Sequence, residues 1–295
     1  MLPVPDFLTI GHVSKDLRPD GTYTLGGTVT YAALTAQHLG LATGVITCAD
    51  PNMCIELPSH LPGIALHIRP SSVTTTFINQ YTEGVRIQYL CARADTFEAR
   101  DVPEAWRNTP IVLLGPLAQE LPTDFASLFP RRPDALIAAS PQGWLRQWDA
   151  DGRIWPTAWH DAPKVLSSLD VLILSYEDIL SSNGNSREEA DALFSEWSTM
   201  VPILVATEGR YGATLFHEGQ TKQFPAYEAE EVDPTGAGDV FAAAFLIHLS
   251  KNGDPELAVE YANCVASFSV QQEGTKGIPS LSMINRAFRS QSRKE

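Results

Sequence analysis

The chain has 295 residues and a mass of 32.2 kDa, with 44% apolar and 19% charged residues and a formal net charge of −14. This length accommodates one large α/β domain or two small ones, and the composition excludes a disordered chain. The acidic balance argues against non-specific binding to nucleic acid or an anionic membrane, which need basic surface, while local N–H groups can still hold a nucleotide.

Residues 1–6 carry no basic start or long apolar run, and nowhere do about 18 apolar residues run uninterrupted. Neither a signal peptide nor a membrane span is expected, and the location reads as cytoplasmic. Phe7-Leu8-Thr9-Ile10-Gly11-His12-Val13 reads as a buried strand ending in a loop. Residues 23–27 form a short extended piece ending in Gly26-Gly27. Residues 28–39 have helical spacing, with Ala32, Ala33, Ala36 and Leu39 for one face. Gly40 stops that helix and residues 42–48 read as the next strand. Residues 73–91 differ: two β-branched or alternating runs flank Thr82-Glu83-Gly84, a β-hairpin that suggests a small side sheet acting as a lid.

Parallel-sheet patterning then resumes. Short apolar runs at 111–115, 135–139, 171–174 and 202–206 are separated by segments of about 15 residues or more, as in βαβ architecture. Residues 188–200 read as a helix with Ala192, Leu193 and Trp197 on one side, and residues 257–271 as another. Residues 290–295 look like a polar tail. The four cysteines, Cys48, Cys54, Cys91 and Cys264, show no C-x-x-C spacing and read as buried free thiols in a reducing compartment. The seven histidines show no metal-binding spacing, and Trp144, Trp148, Trp155 and Trp159 read as packing residues.

The chemistry is concentrated in Asp233-Pro234-Thr235-Gly236-Ala237-Gly238-Asp239, just before an apolar run at 240–249. A helix start presents unpaired N–H groups and roughly half a positive charge, and glycine lets a phosphate approach. Asp239 beside such a cradle can take a hydroxyl proton, so the segment suggests phosphoryl transfer to an alcohol. The same seven residues also suit a simple helix cap. Thr207-Glu208-Gly209-Arg210-Tyr211-Gly212 follows a strand end and can border nucleotide phosphates or serve as a hairpin turn.

The order Thr-x-Gly-x-x-Gly, then Asp-Pro-Thr-Gly-Ala-Gly-Asp and a small-residue helix, resembles the ribokinase-like sugar kinases, the PfkB carbohydrate kinase family. Gly26-Gly27 with its Ala-rich helix resembles the family's first signature, and Gly11 with Asp16 its substrate loop. The resemblance implies an α/β fold, a three-layer α/β/α sandwich with a mostly parallel central sheet and a small β-sheet lid. It implies one kinase domain over 1–295, with lid elements around 12–27 and 73–91. Asp239 would be the general base, and Gly236, Ala237 and Gly238 would supply N–H groups to the γ-phosphate of ATP. Thr207, Gly209 and Gly212 would border ATP, with Asn263 and the loop at Gly274 against its adenine. Asp16, Gly27, Thr28, Asn79 and Gln142 would face a sugar or polyol. Asp233 would lie near a monovalent cation such as K+, and the lid would pair two subunits into a homodimer.

Departures fall at three places. The family's magnesium-associated Asn-x-x-Glu is replaced by Ser175-Tyr176-Glu177-Asp178, leaving Asp178 or Glu177 to organise Mg2+. Tyr31 stands where an asparagine is usual after Gly-Gly. The loop Ser140-Pro141-Gln142-Gly143-Trp144-Leu145-Arg146 replaces an Asp-x-Asn-x-Arg pattern. These differences argue against ribose or fructose as acceptor and look closer to the myo-inositol kinase-like branch. Two other readings stand: a nucleoside kinase whose Phe77 and Tyr81 stack a base, and an inactive ligand sensor that keeps the fold.

Overall fold

The computed structural model describes residues 3–82, 85–183 and 186–291. In chain order it runs β1 (Phe7–Ile10), β2 (Ser14–Leu17), β3 (Tyr23–Gly26), α1 (Thr28–His38), β4 (Thr43–Ala49), α2 (Pro51–His60) and β5 (Ala65–Pro70). Next come β6 (Thr75–Thr82), β7 (Val85–Ala92), β8 (Ile111–Leu114), β9 (Leu136–Ala139), β10 (Arg146–Trp148), β11 (Ile154–Pro156) and α3 (Ala162–Leu166). The remainder is β12 (Val171–Ser175), α4 (Tyr176–Asn183), α5 (Arg187–Trp197), β13 (Ile203–Thr207), β14 (Ala213–His217), β15 (Gln220–Phe224), α6 (Ala237–Asn252), α7 (Pro255–Ser269) and α8 (Leu281–Gln291).

Among the described residues, nine strands form one sheet in the order β15-β14-β13-β12-β9-β8-β1-β4-β5. It is parallel from β13 to β5, and β14 and β15 add an antiparallel edge. Alternate side chains split the apolar runs between two faces. Ile111, Leu113, Val171 and Ile173 enter a core with α1, α6 and α7. Val112, Leu114, Leu172 and Leu174 enter the opposite core with Phe194 and Trp197 of α5. Strands covered on both sides need apolar residues at successive positions, which is why those short runs were legible.

Residues 240–247 of α6 are buried all round because the helix lies beneath α1 and α7. On α5 the expected face is displaced: Ala190, Phe194 and Trp197 are buried, at i, i+4 and i+7, while Ala192 is exposed. Trp144 stacks on Trp159, which meets Trp197 edge-on, so these indoles are core. The thiols divide: Cys48 and Cys264 are buried, Cys54 is half-buried, and Cys91 is exposed on β7 rather than buried.

The hairpin of β6 and β7 joins β2 and β3 in a second sheet of order β3-β2-β6-β7, so the two expected lid elements are one unit. Most of the turn at Thr82-Glu83-Gly84 and most of the tail at 290–295 lie outside the described residues. The sequence reading anticipated no helix over 51–60. Asp50 caps α2 by accepting the N–H groups of Asn52 and Met53 at 2.9 and 3.0 Å, and Pro51 supplies a first position that needs no donor. Asp50 also accepts the Thr74 hydroxyl at 2.5 Å and Lys15 Nζ at 3.0 Å, tying β2 of the small sheet to the large one.

Candidate active site

The chain leaves β1 for β4 and β5 on one side, then returns to β8, β9, β12 and β13 on the other. Such a reversal opens a crevice beyond the C-terminal ends of the strands. Two glycines meet there. A Cβ on Gly11 would lie 2.2 Å from the Gly115 carbonyl oxygen, and one on Gly115 would lie 2.4 Å from the Thr28 side chain. Only bare backbone at these strand ends lets the start of α1, with Gly27 and Thr28, reach into the crevice.

The start of α6 meets it. Gly236 caps this helix in the left-handed region, with φ 77° and ψ 0°. The Ala237 N–H is engaged by the Pro234 carbonyl at 3.1 Å, so this expected cradle donor serves the loop instead. The next N–H groups, of Gly238 and Asp239, sit in a first turn that has no intrahelical acceptor. Open space lies beside Gly238, where an added Cβ would meet nothing within 4 Å. The Thr28 hydroxyl hydrogen-bonds the Asp239 carboxylate, so two helix N-termini converge on one point. Helix N-termini of this kind favour negative charge. Burial nevertheless raises the Asp239 carboxyl to about 6; the Thr28 hydrogen bond and Arg146 oppose that rise, and the charge of Asp178 adds to it. A carboxyl in that range can take up or release a proton near neutrality.

Asp178 faces this point from the start of α4. Its Oδ2 accepts the Ser175 N–H at 3.0 Å, and its Oδ1 accepts Gln142 Nε2 at 3.3 Å. Glu177 is exposed one position earlier. The structure thus joins Gln142, Asp178 and Asp239, drawn from three separate segments. Among the described residues no cluster of three or more histidine, cysteine or carboxylate side chains could hold a metal. Two hard carboxylates without such a cage suit Mg2+, which keeps waters and substrate phosphates in its shell.

On the opposite wall, Asp16 leans over Gly26, whose Cβ position is 2.4 Å from Asp16 Oδ2. Asp16 pairs with Phe77, and Asn79 lies two residues further along β6, so the three share a face of the small sheet. Asn79 Oδ1 accepts Gln88 Nε2 at 3.0 Å. Phe77 is only 2% exposed and packs on Leu90 and Leu117, so it offers no face to a base; the Tyr81 side chain lies outside the described residues.

The residues expected to border ATP separate by what they contact. Thr207 ends β13 beside Ser175, and its hydroxyl donates to the Leu174 carbonyl at 3.2 Å. Gly209 borders open space. Gly212 is a structural turn: at φ 97° its Cβ would sit 2.0 Å from the Phe224 carbonyl oxygen. Asn263 spends its amide on the Pro225 carbonyl at 3.1 Å, so both residues hold the bend after β15. Asp233 is a clamp, accepting the Thr235 N–H at 3.0 Å on one oxygen and the Gly274 N–H at 2.8 Å on the other. Burial pushes its carboxyl up, but these hydrogen bonds outweigh that and leave it below the ordinary value.

Three features escaped sequence reasoning. His12 and Glu120 are fully buried beneath the crevice. Glu120 accepts the N–H groups of His12, Leu117 and Ala118 at 2.7–3.1 Å. His12 Nε2 lies 3.0 Å from the Asp95 carbonyl, which can only accept, so Nδ1 accepts the Thr75 hydroxyl at 2.7 Å. Burial holds this imidazole below its ordinary pKa despite Glu120, and it is neutral. Arg146, read only as part of a loop, bears on Asp239. Tyr31, expected on the acceptor side, lies beneath Gly236. Spacing signals none of these, because each depends on contacts between distant segments.

The family described as pfkB family carbohydrate kinase matches residues 146–281. Ribokinase of Bacillus subtilis (strain 168) is 36% identical over 129 residues, 40% of this chain and 43% of that protein. Probable fructokinase-5 of Arabidopsis thaliana is 28% identical over 50% of this chain and 48% of its own length. The chain therefore spans about half the length of these curated relatives. Inositol 3-kinase of Zea mays is 24% identical over 85% of this chain and 67% of that protein. A pyrophosphate-dependent kinase in the ribokinase family, solved with a pyrophosphate analog and myo-inositol, superposes with a TM-score of 0.77 at 25% identity, covering 92% of this chain and 98% of that one. Arabidopsis thaliana ribokinase, solved with ribose and ATP, gives a TM-score of 0.73 at 19% identity, covering 96% and 98%. The C-terminal half of the chain, which carries the start of α6, is thus similar to the pfkB family of carbohydrate kinases.

Proposed function

We propose that the protein is a small-molecule kinase that transfers the γ-phosphate of ATP to a hydroxyl of a sugar or polyol, with an inositol as the acceptor class. The carrying observation is Asp239, raised to about 6 by burial and held by Thr28 where two helix starts converge. Asp239 takes the acceptor hydroxyl proton, while the first-turn N–H groups of Gly238 and Asp239, beside the bare backbone of Gly236, stabilise charge on the transferred group. Asp178, oriented by Gln142 and Ser175, and Glu177 would hold Mg2+, which when bound neutralises phosphate charge. Asp16, Gly27, Thr28, Asn79 and Gln142 orient the acceptor; Thr207, Gly209 and Gly274 border the donor. A monovalent cation such as K+ beside Asp233, a cytoplasmic location, and a homodimer through the β3-β2-β6-β7 sheet belong to the same reading.

A second donor has support. The relative at 25% identity is pyrophosphate-dependent, and here Gly212 and Asn263 serve the bend after β15 rather than an open base pocket. Purified protein incubated with Mg-ATP or Mg-pyrophosphate against polyols, sugars and nucleosides tests both. ADP release with a polyol supports ATP, and phosphate release from pyrophosphate alone supports the second donor. No turnover with any pair would sink the kinase reading and leave a ligand sensor.

A further inference from the structure

Building on the kinase reading, we propose that Tyr31 is a positioning residue for phosphoryl transfer, its ring forming the floor that sets the first turn of α6. A Cβ on Gly236 would lie 2.3–2.4 Å from three carbons of that ring, so ring and loop are in direct contact with no side chain between them. Tyr31 is 4% exposed and does not move aside freely. Its hydroxyl end reaches toward Gly274, at 3.8 Å from that residue's Cβ position, and the Gly274 N–H is the group held by Asp233. One ring thus underlies both ends of the loop from Asp233 to Gly236.

The neighbouring contact completes the device. Thr28 and Tyr31 are three residues apart on α1 and share a face. Gly236 and Asp239 are three residues apart at the start of α6. Tyr31 supports the first and Thr28 holds the second. Two points fix the roll of α6 about its axis, and that roll aims both the N–H cradle and the base. Removing the ring leaves Asp239 held at one point only. Misplacement by about 1 Å in such a constellation costs on the order of 100-fold in rate.

The test compares Tyr31→Phe and Tyr31→Leu in the full chain, with amide exchange across 233–240 as a readout independent of turnover. Tyr31→Phe keeps the ring, and its kcat should stay within about threefold of the parent. Tyr31→Leu should lower kcat about tenfold or more with acceptor KM little changed, and should speed exchange at 235–240 but not in β6 and β7. Parental kcat and parental exchange in Tyr31→Leu overturn the proposal. If that variant does not fold, Gly236→Ala probes the contact from the other side: its Cβ must lift the loop off the ring, with the same loss expected and parental turnover as the overturning result. A parent protein that phosphorylates nothing refutes the kinase reading instead, while the exchange comparison still decides whether Tyr31 sets the loop.

Discussion

The start of α6 and the hinge of the small sheet use carboxylates in opposite ways. At the hinge, Glu120 and Asp50 are saturated with donors: three backbone N–H groups on Glu120, and two N–H groups, a hydroxyl and an ammonium on Asp50. Burial would raise the Asp50 carboxyl, but the Thr74 hydroxyl, the Met53 N–H and Lys15 hold it well below the ordinary range. Asp239 has one hydroxyl partner and a like charge nearby, and burial wins. A satisfied carboxylate is a structural pin, whereas an under-satisfied one retains basicity for a proton yet to come. The difference lies in the balance between burial, which dominates at Asp239, and donors, which dominate at Asp50.

Replacing Asp239 should separate the two uses most sharply. Asp239→Asn is expected to lower kcat by about 1,000-fold or more, since positioned proton transfer and the cradle act together. The same variant should raise the melting temperature by roughly a few degrees, because it removes a charge that burial disfavours. Turnover close to the parental rate would remove Asp239 from the base role. The pH profile is the next largest effect. A base must be unprotonated, so kcat/KM should rise about tenfold per pH unit up to the value near 6 and level off above it. Thr28→Val deletes the opposing hydrogen bond and should move that inflection upward; an unmoved inflection would break the Thr28–Asp239 link.

Stability measurements sharpen the hinge side. Glu120→Ala strands three buried N–H groups and should cost about 3 kcal/mol or more, read by urea unfolding. Asp50→Ala removes a cap and a sheet tether and should cost about 1–2 kcal/mol. The linkage signs differ. The folded-state value of Asp50 is depressed, so its stabilisation is present above the unfolded value of 3.8 and lost as pH falls below it. The folded-state value of Asp239 is raised, so its charge lowers stability as pH climbs from 3.8 to about 6. Acid titrations of the two variants against the parent should diverge in those two windows.

The sequence made the layers legible because parallel strands leave continuous apolar runs, and the 233–239 loop legible because its glycines and acid are contiguous. Asp178 was found as a departure from a pattern, but its link to Gln142 was not, since strand order alone brings those loops together. Tyr31 and Gly212 make contacts that spacing does not signal: one lies against Gly236, the other packs on the bend after β15. The face of α5 was displaced because Ala192 suits helix surface and core equally. Asn263, expected against adenine, is spent on a carbonyl that no local pattern marks.

The Glu120 clamp carries a kinetic consequence. Its bond to the His12 N–H joins positions 108 residues apart, and loop closure over such a span is paid before the contact returns anything. The crevice between β1 and β8 is therefore expected to complete late in folding, after the β1–β4 neighbourhood has formed locally. Refolding followed by amide exchange should show protection at residues 117–118 lagging behind β4, so competence to bind would arrive in the last phase rather than with the first collapse.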